Sequence, residues 1–151
     1  MTTIAFDGST IAADMLAVDN WGLKDNVSKL LRGNDFIAGG AGERSKILHW
    51  WSSVEKMSFE EVLRFGFPDY DAEKNDPAIV IAYKNGGAYK HAGGLFVPCS
   101  RPFHAVGSGR DYALAAMHLG RSAKEAVEVA MVFDNNTGGH IETMNVTGER
   151  N

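Results

Sequence analysis

Apolar and polar positions change period several times along the chain, and each change marks an element. Thr3 to Phe6 and Thr10 to Ala13 are short β-prone runs around Asp7-Gly8-Ser9, so the chain opens with a hairpin. Asn26 to Leu31 and Asp35 to Ala38 form a second strand pair around Arg32-Gly33-Asn34. From Glu43 to Lys56 the period becomes helical, with Ile47, Leu48, Trp50, Trp51 and Val54 available for one broad face. Ser58 and Glu61 make a capping-box pattern ahead of Val62, Leu63 and Phe65, which predicts a second helix stopping near Gly66 and Pro68.

Tyr70 to Pro77 is polar and loop-like. Ala78 to Lys84 and Ala88 to His91 then flank Asn85-Gly86-Gly87, and Leu95 to Val97 extends the meander. Phe103 to Val106 leads through Gly107-Ser108-Gly109 into a helical stretch ending near Gly120. Ser122 and Glu125 repeat the capping box before an amphipathic helix carrying Ala126, Val127, Val129, Ala130 and Phe133. Asp134-Asn135-Asn136-Thr137-Gly138-Gly139 precedes a last strand, His140 to Val146. The order is strands, two helices, strands, two helices, strand. Two sheets packed face to face, with helices over both outer surfaces, bury such a set. No repeat or linker divides the chain, so residues 1–151 read as one domain.

Composition narrows the function. A hydrophobic content of 44% with 23% charged residues is that of a globular protein, which sets aside disordered and fibrous classes. The net charge of −4 and the absence of a Lys/Arg cluster argue against nucleic acid as a partner. No apolar run approaches the ~20 residues of a membrane span, and the N-terminus lacks a signal-peptide pattern, so a cytoplasmic location is expected. The single cysteine, Cys99, excludes an internal disulfide framework, and the histidines show no paired metal spacing. Gly107-Ser108-Gly109 lacks the spacing of a serine-hydrolase nucleophile elbow.

The chemistry begins at Met1-Thr2-Thr3. Removal of Met1 would leave a threonine whose hydroxyl and α-amine together form a nucleophile and its base. A retained Met1 would acylate that amine and remove the base. Several motifs occur in a telling order: Thr2-Thr3-Ile4, Ile11-Ala12-Ala13-Asp14, Asn26-Val27-Ser28-Lys29-Leu30, Ile37-Ala38-Gly39-Gly40-Ala41-Gly42, Val106-Gly107-Ser108-Gly109 and Asp134 to Gly139. With these, nearly the whole chain resembles the proteasome β-type and HslV-like N-terminal-nucleophile threonine peptidases. Departures are the short length, Met15-Leu16-Ala17 after Asp14, and the stretch from Phe65 to Pro77.

The resemblance implies a four-layer αββα sandwich of the α+β class and a threonine endopeptidase acting on unfolded proteins. It implies Thr2 as nucleophile, Lys29 beside its hydroxyl, Asp14 paired with Lys29, and Gly39 as a backbone donor to the oxyanion. Ser108 would bond the terminal amine, and Asp134 and Thr137 would orient Thr2 and Ser108. On their own terms Lys29 is a solvated strand lysine, Gly39 starts a loop into a helix, Ser108 caps the following helix, and Asp134 and Thr137 belong to an Asx/Gly loop. The resemblance also implies a sodium or potassium ion on the backbone carbonyls of Met131, Asp134 and Thr137, and no cofactor for the chemistry. It implies a homo-oligomeric ring or stacked rings, with an ATP-dependent unfoldase as partner. Trp50, Trp51 and Phe59 are the candidates for subunit contacts, since adjacent indoles do not easily share one core. A catalytically silent binding or structural protein on the same fold is the alternative.

Overall fold

A computed structural model describes residues 2–71, 73–74, 77–84 and 86–146; Met1 and Asn85, both part of the sequence expectations, lie outside them. Strands β1 (Thr3–Phe6) and β2 (Thr10–Asp14) form the expected hairpin. They are the centre of a four-stranded sheet whose edges are β10 (His104–Gly107) and β11 (Ile141–Asn145). A five-stranded sheet follows sequence order: β5 (Leu30–Arg32), β6 (Phe36–Ala41), β7 (Ala78–Tyr83), β8 (Ala88–Ala92) and β9 (Leu95–Pro98). Every described pairing is antiparallel.

Period-two alternation sorts each strand between two layers. Ile4, Phe6, Ile11 and Ala13 point at the other sheet, where they meet Leu30, Ile37, Val80 and Ala82. On the opposite face of the first sheet lie Ala5, Ala12 and Ala105. Such small side chains let α3 (Arg110–His118) and α4 (Ala123–Phe133) sit close, with Ala113, Ala116, Ala126 and Val127 completing that layer. The outer face of the second sheet instead presents Phe36, Ile79 and Ile81 to α1 (Arg44–Val54) and α2 (Phe59–Phe65). The result is the four-layer αββα sandwich expected from the sequence. Both predicted capping boxes form, at Ser58 and at Ser122.

Two expectations are corrected. Asn26 to Leu31 is not one strand: Asn26 ends β4 (Lys24–Asn26), which pairs with β3 (Leu16–Val18) in a separate ribbon, and β5 begins only at Leu30. The residues between them, including Lys29, are loop. Trp50 and Phe59 are not left over for subunit contacts either. Trp50 is 2% exposed and donates its indole N–H to the Gly66 carbonyl at 2.9 Å, and Phe59 is 5% exposed and stacks on Tyr83 at 4.2 Å. Trp51 is half-buried in the same layer, edge-on to Phe36 at 5.8 Å. A sheet under a helix accepts a stripe more than 100° wide, so both indoles reach it. Among the described residues the most exposed large apolar side chain is Trp21, at 94%, in the loop between β3 and β4.

Asp7 ties the first hairpin to α4. One carboxylate oxygen takes the Ser9 and Thr10 N–H groups at 3.0 and 2.8 Å, and the other takes the Ala123 N–H at 2.9 Å, at the helix start. Burial by itself pushes this carboxyl up, but the donors from Ala123, Thr10 and Ser9 outweigh it and hold the group below the usual aspartate value. Because the folded value is depressed, the stabilisation is complete above about pH 4 and is lost as the pH falls through the folded value. Asp7→Ala should therefore lower stability by about 1–2 kcal/mol at neutral pH, as loss of a helix cap does. Urea unfolding should show that gap closing in acid; a gap that widens there would contradict the assignment.

Candidate active site

Thr2 precedes β1 and is 5% exposed, yet it touches two cavities, one of about 510 Å³ and one of about 390 Å³. The larger is a cleft bounded by the β3–β4 ribbon, the loop carrying Lys29, the end of β6 and the first turns of α1. Lys29 lines it together with Thr2. The smaller lies on the other side of Thr2, against β10, Ser108 and Arg110.

Asp14, fully buried at the end of β2, collects three separate segments. One carboxylate oxygen accepts the Thr3 N–H at 2.9 Å and the Lys29 ammonium at 3.1 Å, and the other accepts the Gly138 N–H at 3.1 Å. The Lys29 side chain is 8% exposed. Burial lowers the Lys29 pKa from the ordinary lysine value; Asp14 opposes that by charge and hydrogen bond, and the nearby Arg44 adds to it. The solvated-strand reading of Lys29 is thus replaced by a sheltered loop cation.

Behind Thr2 is a second hub. Ser108 Oγ and Thr137 Oγ1 both donate to the same Asp134 oxygen at 2.6 Å. Each hydroxyl has one proton, and the carboxylate holds it more strongly than a neutral acceptor does. The Ser108 contact to the Thr2 carbonyl at 3.4 Å is accordingly the weaker alternative, and Ser108 Oγ is left to accept the Thr2 N–H at 3.3 Å. By the same count Thr3 Oγ1 donates to Thr137 Oγ1 at 2.7 Å. Burial raises the Asp134 pKa, but the Ser108 and Thr137 hydroxyls and the Asn136 N–H pull it below the usual value, so the hub is anionic at neutral pH. Ser108 does not cap α3, whose N-cap is Gly109 with no side-chain bond.

The two glycines around Ser108 have a steric reason. Gly107 has φ +101°, and a Cβ there would run into the Thr2 carbonyl; a Cβ on Gly109 would run into Thr3 Oγ1. Only glycine lets this turn close on the start of β1.

Gly39 is placed differently from the sequence expectation. The Lys84 N–H bonds the Asp35 carbonyl at 3.1 Å, which sets the phase of the β6–β7 ladder. Antiparallel alternation then commits the Gly39 N–H to Val80 on β7 and turns the Gly40 N–H to the opposite edge, where β5 stops at Leu30. Gly39 also packs against Ile4 and Leu30, whereas Gly40 and Gly42 line the cleft. The glycines that line the cleft are therefore Gly40 and Gly42 and not Gly39, and a glycine-rich run alone does not disclose that phase.

Met131, Asp134 and Thr137, the residues expected to hold a cation, lie at and just after the end of α4. The Asp134 carbonyl accepts the Thr137 N–H at 3.2 Å, and the Met131 carbonyl belongs to the last helical turn. Oxygens at the negative end of a helix suit a singly charged cation. Sequence reasoning missed Glu142 on β11, which accepts the Lys29 N–H at 2.7 Å; an isolated acid in a terminal strand gives no sign of that reach.

No family model matches the chain, and no curated protein matches it. Solved structures do. Eukaryotic HslV from Trypanosoma brucei superposes with a TM-score of 0.70 at 18% identity, over 95% of this chain and 98% of that one. Thiobacillus denitrificans BPH gives 0.67 at 22% identity over 98% and 99%, and the same protein in complex with epoxomicin gives 0.68 at 21% over 99% of each. The chain thus has the proteasome/HslV type of N-terminal-nucleophile hydrolase fold along its whole length. Among the described residues no helix is long and apolar enough to cross a membrane.

Proposed function

We propose that this protein is a threonine peptidase in which Thr2, freed of Met1, is the nucleophile. The observation that carries the reading is the placement of Thr2 between the Ser108–Asp134 hub, on its nitrogen, and the cleft it shares with Lys29. The Thr2 amine takes the proton of its own hydroxyl as Oγ attacks the scissile carbonyl. Ser108, its own proton spent on Asp134, accepts an amine N–H and leaves the nitrogen lone pair for the hydroxyl. Lys29 stabilises the forming alkoxide, and the main chain of the Gly40–Gly42 run that lines the cleft supplies the N–H for the developing oxyanion. The amine then returns the proton to the departing peptide nitrogen, and water hydrolyses the Thr2 ester to release the acyl half.

The cleft is long enough in lining residues for an extended peptide, with Leu16, Val27, Leu31 and Ile47 supplying apolar wall. The fold likeness supports a homo-oligomeric ring enclosing Thr2, supplied with unfolded protein by an ATP-dependent unfoldase. A sodium or potassium ion on the carbonyls of Met131, Asp134 and Thr137 would stiffen the loop beneath the hub and take no part in bond breaking.

Intact mass spectrometry with a peptide vinyl sulfone tests the reading. The expected mass lacks Met1 and gains one inhibitor equivalent, mapped to Thr2. Epoxomicin, found with one of the fold neighbours, should compete for the same site. A chain that retains Met1 and takes no label would make the silent binding protein the correct alternative.

A further inference from the structure

Lys29 sits in a loop, just before the first residue of β5. The Val27 N–H bonds the Met15 carbonyl at 2.8 Å and Arg44 reaches the Ser28 carbonyl at 3.1 Å, but the amides of Lys29 and Leu30 are taken by one carboxylate from the other sheet. Glu142 Oε1 accepts the Lys29 N–H at 2.7 Å, the Leu30 N–H at 3.0 Å and the Ser28 hydroxyl at 2.8 Å, and Oε2 lies 2.9 Å from the same hydroxyl. Glu142 stands opposite Ala13 on β2, one residue from the Ile141–Asp14 pair. The strands that carry Asp14 and Glu142 are thus neighbours, and together they hold Lys29 at both ends: Asp14 its ammonium, Glu142 its main chain.

We propose that Glu142 is the positioning residue for Lys29, fixing the loop that delivers the ammonium to the cleft and adding a second negative charge to its surroundings. This rests on the threonine-peptidase reading for its catalytic consequence, but not for the clamp itself. The charged groups acting on Lys29 are Asp14 from β2, Arg44 from α1 and Glu142 from β11. Glu142 raises the lysine's proton affinity, so its removal lowers it. Turnover needs a neutral Thr2 amine and a charged Lys29, so the alkaline limb of the pH–rate profile belongs to the lysine. Loss of the Glu142 charge should move that limb to lower pH.

Two variants separate clamp from charge. Glu142→Gln keeps an oxygen for the Lys29 and Leu30 N–H groups and turns an amide N–H₂ toward Ser28, whose hydroxyl accepts it and donates to the Leu30 carbonyl, 3.2 Å away. Glu142→Ala removes both functions. Amide hydrogen exchange should rise about tenfold or more at Lys29 and Leu30 in Glu142→Ala, since bonds to a charged acceptor are lost, and stay near wild type in Glu142→Gln. In Glu142→Ala kcat should fall by up to about 10²-fold with KM little changed, as misplacement of a catalytic group does. Both variants should shift the alkaline limb downward. Unchanged exchange at Lys29 and Leu30 in Glu142→Ala would overturn the clamp, and an unshifted limb in Glu142→Gln would overturn the electrostatic part. A wild-type protein that hydrolyses no peptide would defeat the peptidase reading alone, because the exchange experiment still decides the clamp.

Discussion

Replacing Thr2 with alanine is expected to abolish peptide hydrolysis while leaving the protomer folded. The loss should approach the ~10⁶-fold seen when a covalent nucleophile is removed from a hydrolase. Stability should hardly change, because the described hydrogen bonds of Thr2 are made by its main chain, through its N–H and carbonyl to Ser108, and alanine retains both. Thr2→Ser should keep part of the activity, since hydroxyl and amine survive. The comparison with Thr3 sharpens the test. Thr3 is also a buried hydroxyl, but its Oγ1 is tied to Thr137 and its N–H to Asp14, so it is spent on structure. Thr3→Ala should cost stability by about 1 kcal/mol for the lost buried hydrogen bond. Turnover that survives Thr2→Ala, measured on a fluorogenic peptide, would end the mechanism.

Why parts of this arrangement were readable from sequence, and others not, follows from the range of the interactions. Both capping boxes are contacts over three residues, Ser58 with Glu61 and Ser122 with Glu125, so a short window contains them whole. Layering was legible because Ile4, Phe6, Ile11 and Ala13 alternate with residues facing the helices. The β3–β4 ribbon was missed: its paired residues are mostly half-exposed or exposed, and its turn is organised by Asp19 bonds to the Trp21 and Leu23 N–H groups, with little apolar pattern to see. Asp14, Lys29, Ser108, Asp134 and Thr137 were found through resemblance, and the structure brings them into two hydrogen-bonded hubs. Which glycines of the run line the cleft, Gly40 and Gly42 but not Gly39, depends on which edge of β6 faces β7, a matter of register that adjacent glycines do not encode. Trp50 and Phe59 go to the core because the sheet beneath α1 and α2 takes a wider helix face than the apolar spacing alone indicates.

Asp14 and Lys29 form one ion pair, yet their removal should have unlike consequences. Asp14→Ala removes the carboxylate shared by the sheltered ammonium and the N–H groups of Thr3 and Gly138. Breaking a buried pair in this way costs about 3–5 kcal/mol, a large part of the 5–15 kcal/mol that holds a domain together. At this chain length that corresponds to a melting temperature lower by roughly 10 °C. Turnover should vanish as well, because β1, the Lys29 loop and the turn before β11 lose their common anchor. Lys29→Met is the contrasting variant. It removes the burial penalty on the lysine, and Asp14 keeps two backbone donors, so the fold should lose less than in Asp14→Ala, about 1–3 kcal/mol for one bond to a charged group. Activity should nonetheless fall by about 10²–10³-fold or more, the usual effect of deleting one electrostatic contact to a transition-state charge. Lys29→Arg should not restore it, since the planar guanidinium is larger and does not reproduce a compact point charge. In the double variant, Asp14→Ala with Lys29→Met, stability should recover relative to Asp14→Ala alone while turnover stays absent. Equal melting temperatures for Asp14→Ala and Lys29→Met would show that the carboxylate is not the structural half of the pair.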